Sequence, residues 1–240
     1  MELASHSPEI LSMETSTRAD SHFRIRYGDR VKYVVVAPGT LDSDHLFMPL
    51  YSLPPLPYGQ DGWTVARVSR SAENHELKFS LENRPLQGVK EIWHPEKVDC
   101  LLLERIARFG WEIPRIERET HAYRLLQSTD IAPRFLGHII EEGRVMGFLL
   151  EKLDGSSAGI EHLARGAEVL GRLHRLGLLH GDINRHNFIV GEGWTKMIDF
   201  EKSQETQEER PKNAEMLHLS SELEDDSGRG AGFLTDDEGD

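Results

Sequence analysis

Cysteine is nearly absent: Cys100 stands alone in 240 residues, so the chain offers neither an intrachain disulfide nor a multi-cysteine zinc site. Cys100 reads as a small hydrophobe beside Val98 and Leu101. Long apolar runs are missing too. Runs such as Val34-Val35-Val36 and Phe148-Leu149-Leu150 are strand-sized, far short of the roughly 20 residues of a membrane helix, so no membrane partner is expected. Residues 1–20 are polar and lack the basic and apolar regions of a secretory leader, which makes the cytoplasm the expected compartment. A basic excess is also lacking. The net charge of −13 argues against general nucleic-acid binding, and no nucleic-acid partner is expected. That acidity is concentrated: residues 201–240 hold 13 acidic and 4 basic side chains, so −9 lies there and only −4 in residues 1–200. The body of the chain is not too acidic to receive a polyphosphate. No G-x-G-x-x-G motif and no internal repeat occurs.

With 38% hydrophobic residues the chain can bury a core and form one domain with two lobes. Residues 1–20 show no periodicity and are expected to be disordered. Residues 21–100 read as a β-rich accessory segment: Phe23–Tyr27 alternates, Gly28-Asp29 turns, and Val31–Val36 is β-branched, which predicts a hairpin. Leu53-Pro54-Pro55-Leu56-Pro57 predicts a rigid extended link. Trp63–Val68 and Leu77–Leu81 read as short strands. Ile113, Ile116, Tyr123 and Leu126, with Pro114 in a tolerant first turn, predict a helix of about 14 residues carrying Glu119. Phe135–Ile140 and Val145–Leu150 flank a polar turn and predict a hairpin. Ile160, Leu163, Ala167, Leu170 and Leu173 predict an amphipathic helix that Gly177 stops. Residues 204–240 form an acidic tail, with one weakly signalled helix over 211–224.

The chemistry gathers after Gly177. His180-Gly181-Asp182-Ile183-Asn184-Arg185-His186-Asn187 leads into Phe188-Ile189-Val190, a glycine turn, and Lys196-Met197-Ile198-Asp199-Phe200. The two apolar runs predict a hairpin, with Asp182 and Asn187 on the loop entering it and Asp199 at its exit. Phosphoryl transfer needs such a set. A carboxylate and an amide oxygen can hold Mg²⁺, a hard cation, against the phosphates. A second carboxylate orients the acceptor hydroxyl and takes its proton. His174, His180 and His186 are evenly spaced but span helix, loop and strand, which argues against a metal cluster.

The His-Gly-Asp, four residues, Asn, then Ile-Asp-Phe pattern resembles the aminoglycoside phosphotransferase branch of the protein kinase-like superfamily. The resemblance covers about residues 107–203. It is nearest to a group of fungal kinase-like proteins, through Ala107-Arg108-Phe109-Gly110-Trp111-Glu112-Ile113-Pro114 and Gly181-Asp182-Ile183-Asn184-Arg185-His186-Asn187-Phe188-Ile189-Val190. It implies an α+β, bilobal kinase-like fold with shortened lobes, its core in residues 101–203 and the first lobe ending near 150. By the same resemblance Asp182 is the catalytic base, Asn187 and Asp199 hold Mg²⁺, His180 braces the loop, and Leu150, Glu151 and Lys152 face the adenine of ATP. Glu119 is the helix glutamate that partners a phosphate-gripping cation.

That cation is the departure. Where the family has lysine this chain has Leu103-Glu104-Arg105-Ile106, so Arg105 is the positional candidate, although a planar guanidinium is not equivalent to an ammonium. Lys90 and Lys97 read as surface charges. The leading expectation is an ATP- and Mg²⁺-dependent phosphotransferase whose partners are a nucleotide and a small-molecule alcohol. The second is a pseudokinase that binds a protein partner and transfers nothing. A protein Ser/Thr kinase is third, because only 41 residues follow Asp199 and no Ala-Pro-Glu element occurs.

Overall fold

The computed structural model describes residues 7–99 and 109–230, and the chain divides into two compact units. It is a mixed α+β protein. Cys100, Arg105 and the Ala107-Arg108 start of the first resemblance motif lie outside the described residues.

The first unit is built on a five-stranded sheet in the order β1 (Glu9–Glu14), β2 (Ser21–Tyr27), β3 (Arg30–Val36), β4 (Val65–Arg70), β5 (Leu77–Glu82). The predicted hairpin is β2–β3, closed at Tyr27↔Arg30 by Gly28 at φ +65°. β3 and β4 are parallel, so the chain between them must cross over. It does so through two short helices not anticipated from sequence, α1 (Ser43–Phe47), capped by the Asp42 side chain, and α2 (Pro49–Ser52). The proline-rich link is packed rather than free: Leu56 is buried, and the Pro57 carbonyl accepts from Trp63 Nε1 at 3.1 Å. Phe23, Ile25, Val34, Val36, Ala66 and Val68 form the core on one sheet face, and Val31, Tyr33, Val35 and Val65 pack with Phe109 on the other.

The expected disorder of residues 1–20 does not hold over Glu9–Glu14, which pairs antiparallel with β2 through a bulge between Ile10 and Ser12. Ile10 packs against one sheet core and Leu11 against the other. Ile10, Leu11 and Met13 among polar residues are too few to register as periodicity, yet they suffice beside an unpaired strand edge.

The second unit carries the chemistry-bearing loop. β6 (Lys97–Asp99), β7 (Phe135–Glu141) and β8 (Arg144–Leu150) form a further sheet in that order, of which Asp99 and residues 140–146 are counted to the first unit, and β7–β8 is the predicted hairpin. α3 (Ile113–Leu125) and α4 (Leu163–Arg175) appear where periodicity placed them. Gly177 at φ +80° ends α4, its N–H donating to the His174 carbonyl. β9 (Ser156–Ser157) and β12 (Trp194–Met197) flank β11 (Phe188–Gly191), while β10 (Leu178–Leu179) pairs with β13 (Gln204–Glu205). α5 (Glu209–Glu224) is longer than the expected 211–224 helix by two residues and buries Leu219 and Leu223 against α4, where Gly166 leaves room for both. The core joins Tyr123, Leu170, Leu173, Leu178, Phe188, Met197, Phe200 and Leu219.

Leu173 is fully buried in that core, so Leu173→Ala should lower the unfolding free energy by about 2–5 kcal/mol, transfer and cavity terms together. Urea denaturation followed by circular dichroism checks this; a loss below about 1 kcal/mol would contradict the packing described.

Candidate active site

His180 is completely buried. Its Nε2 lies 2.9 Å from the Ile198 carbonyl and must carry the proton in that contact. Its ring rests against Phe200 at 5.0 Å. Burial holds its pKa below the usual histidine value, so the ring is a neutral brace between the loop and the strand that delivers Asp199. Gly181 sits at φ +79°, and a Cβ there would collide with the Lys202 carbonyl. Backbone conformation and close approach both demand glycine at this position.

Asp182 is half-buried, and its Oδ2 is 2.9 Å from Lys202 Nζ. Its carbonyl accepts from Asn187 Nδ2 at 2.9 Å and Asn184 Nδ2 at 3.3 Å. Asn184 also caps the 3₁₀ turn Arg185–Asn187 by accepting from the His186 N–H at 2.9 Å. Asn187 is buried, and its carbonyl accepts from the Ile198 N–H at 3.0 Å. Asn187, through its side-chain amide on one side and its backbone carbonyl on the other, thereby ties the Asp182 backbone to the residue preceding Asp199. Asp199 itself adopts φ +63°, a conformation uncommon outside glycine. It is held by that bond on one side and by the Ser203 N–H to Phe200 carbonyl bond on the other, at 3.0 Å.

Glu119, on α3, accepts a hydrogen bond from the Phe200 backbone. Burial first, and the negative charge of Asp199 second, push its pKa up to about 8. Among the described residues no cation pairs with it. Tyr123, one turn further along α3, buries a hydroxyl with no hydrogen-bond partner, and burial with the charges of Glu119 and Asp199 raises its pKa well above the usual tyrosine value.

The structure thus brings His180, Asp182, Asn187, Asp199 and Glu119 into one connected network. The expected adenine-facing residues are placed otherwise in part. Leu150 packs against the core. Glu151 donates its N–H to the Arg134 carbonyl, and its carboxylate accepts from the Arg134 N–H at 3.1 Å and faces Lys196 at 3.5 Å. Lys152 is exposed beside Asp154. The Lys90 side chain is exposed, as expected of a surface charge, and its backbone N–H donates to the Glu117 carboxylate of α3 at 3.2 Å.

Two residues of the site escaped the sequence reading. Lys202 follows the Asp199-Phe200-Glu201 run and supplies the charge on Asp182. Glu215, on α5, accepts from the Gly181 N–H at 2.6 Å, the His180 N–H at 3.3 Å and His174 Nε2 at 2.8 Å. These three donors hold its pKa below the usual carboxylate value although burial opposes them. The only available signal was its place in a weakly patterned acidic helix.

A Mg²⁺ ion fits the donor set. Asn187 Nδ2 is committed to the Asp182 carbonyl, which leaves Oδ1 as the acceptor of that amide. Two oxygen donors suit an ion that keeps several waters and takes the rest from phosphates. No group of three or more His, Cys, Asp or Glu suited to a metal occurs among the described residues, and none of their helices is long and apolar enough to cross a membrane.

This loop and its α+β setting are consistent with a kinase-like fold, and comparison with known proteins points the same way. Residues 157–232 match the model of the lipopolysaccharide kinase (Kdo/WaaP) family. A protein of Methanothermobacter thermautotrophicus is 27% identical over 139 residues, covering 52% of this chain and 26% of that protein. One of Methanocorpusculum labreanum is 30% identical over 129 residues, covering 50% and 24% respectively. Both are named as probable bifunctional tRNA threonylcarbamoyladenosine biosynthesis proteins. The chain matches about a quarter of the length of these relatives. Together the matches support a kinase-like phosphotransferase.

Two titrations follow. Glu215, with its pKa depressed by folding, contributes stability that is present above the ordinary value of 4.5 and lost as pH falls through the folded value. Glu215→Gln should flatten the acid limb of a pH–stability profile, and an unchanged limb would contradict the anchoring role. Glu119, with its pKa raised, has the opposite sign: its cost is absent below pH 4.5, grows as pH rises, and is complete above about 8. Glu119→Gln should therefore stabilise the metal-free protein most above pH 8, as thermal melts across pH 5–9 would show.

Proposed function

We propose that the chain is an ATP- and Mg²⁺-dependent phosphotransferase of bilobal kinase-like fold that acts on a small-molecule hydroxyl. The observation that carries this reading is the hydrogen-bonded line from Asp182 through Asn187 to Ile198, which fixes the proposed base and the two proposed metal residues as one object. Asp182 orients the acceptor hydroxyl and receives its proton. Lys202 pairs with the Asp182 carboxylate and holds it in place, and His180 and Glu215 hold the loop backbone. Asn187 and Asp199 would hold Mg²⁺, which supplies charge neutralisation on the phosphates. A bound cation also relieves the repulsion between Asp199 and Glu119. The aminoglycoside phosphotransferase and fungal affinities rest on the quoted motifs. The names of the archaeal relatives add tRNA modification as a setting for the shared segment.

The second reading, a pseudokinase that serves a protein partner, is favoured by one observation: among the described residues Glu119 has no cation partner. Turnover of Mg-ATP by the purified protein separates the two. Asp182→Ala should lower the rate by about 10² to 10⁴-fold, the usual worth of a positioned general base. Equal turnover in wild type and variant would sink the phosphotransfer reading. Stabilisation by Mg-ATP in a thermal melt without any turnover would favour the pseudokinase.

A further inference from the structure

Beyond α5 the chain turns back onto the loop that carries Asp182. Asp225 starts the return by accepting from the Ser227 N–H at 2.9 Å, and Arg229 is held by Glu222 and Asp225. The segment then makes two contacts with the loop. Asp226 forms an ion pair with Arg185 Nη1, and Gly230 lies so close to Asn184 that a Cβ on it would stand 2.7 Å from the side-chain amide. Asn184 and Arg185 are the second and third residues after Asp182.

The two partners of the ion pair differ in kind. The Arg185 side chain is 26% exposed and is braced from behind, its Nε donating to the Ala158 carbonyl at 3.2 Å. The Arg185 backbone carbonyl is also fixed, by the Ala158 N–H at 3.1 Å. Asp226 is 84% exposed on a segment held mainly by its own local bonds. A fixed, largely desolvated guanidinium needs an anion beside it, whereas a solvated carboxylate gives up its partner at little cost. Arginine also presents a planar fork matched to carboxylate and phosphate.

We propose that Arg185 is the seat for an anionic group of the acceptor, and that Asp226 is its resident competitor supplied by the chain. This rests on the phosphotransfer reading and deepens it: the acceptor is an alcohol that also carries a carboxylate or phosphate, and Asp226 must leave before it docks. Gly230 against Asn184 places the same segment over the acceptor side of the loop, so release of Asp226 and uncovering of the loop are one event.

The test uses the full chain, with inorganic phosphate as the probe and saturating Mg-ADP to occupy the nucleotide side. If Asp226 fills the seat about nine-tenths of the time, Asp226→Asn should bind phosphate about tenfold more tightly than wild type by isothermal titration calorimetry. Adding Arg185→Gln should abolish the gain. Arg185→Lys is the second variant should glutamine unfold the loop, and it should retain charge but lose most of the gain through the loss of the Ala158 brace. In Asp226→Asn, phosphate should also slow residual Mg-ATP hydrolysis more than in wild type. Equal phosphate affinity in wild type and Asp226→Asn overturns the seat and leaves the phosphotransfer reading intact. Tight binding with no effect on hydrolysis overturns its place on the acceptor side. Absence of hydrolysis in every protein removes the phosphotransfer reading and with it the acceptor role, while phosphate binding still decides whether Arg185 is an anion seat.

Discussion

The second unit depends on a single carboxylate. Glu215 takes hydrogen bonds from two consecutive backbone N–H groups, those of His180 and Gly181, and from the His174 ring. Consecutive N–H groups in a loop have no ladder or helix to satisfy them, and burying them unpaired costs about 1–3 kcal/mol each. Glu215 settles both at once and ties the start of the loop to α4 as well as to α5. From that anchor the rest follows along the chain. Gly181 can press on the Lys202 carbonyl, the Asp182 backbone is held where Asn187 can reach it, and Asn187 in turn sets the strand that delivers Asp199. Removing the anchor releases a sequence of contacts, each of which presupposes the one before.

The charge distribution around this loop is unbalanced by design of position. Asp182 has Lys202, whereas Glu119 feels the charge of Asp199 and has no cation partner among the described residues. Burial first and the charge of Asp199 second raise the Glu119 pKa, and both disfavour its ionised form.

Much of this was legible in the residues because loops that carry chemistry are local. The spacing of Asp182, Asn187 and Asp199, the hairpin between them, the helix stop at Gly177 and the α3 helix around Glu119 all depend on neighbours within a few positions, and all appear as expected. What could not be read depends on distant partners. Lys202 matters because the backbone folds it against Gly181, and Glu215 because α5 packs on α4; neither fact has a sequence period. The edge strand Glu9–Glu14 and the crossover helices at Ser43–Ser52 failed for a related reason. They are short, and tertiary packing rather than propensity holds them. Glu151 shows the limit from the other side: its position was anticipated, but its polar atoms are spent on Arg134 and Lys196.

The loop that carries Asp182 is anchored by α5, beyond residue 203 where the quoted motifs run out. A boundary near residue 203, where the motifs run out, cuts between the loop and its anchor. A fragment ending there would keep every residue named in the motif and lose the carboxylate that orders them, along with Leu219 and Leu223 from the core. Proteolytic fragments or deletion series that stop there would report a folding defect under the guise of lost chemistry.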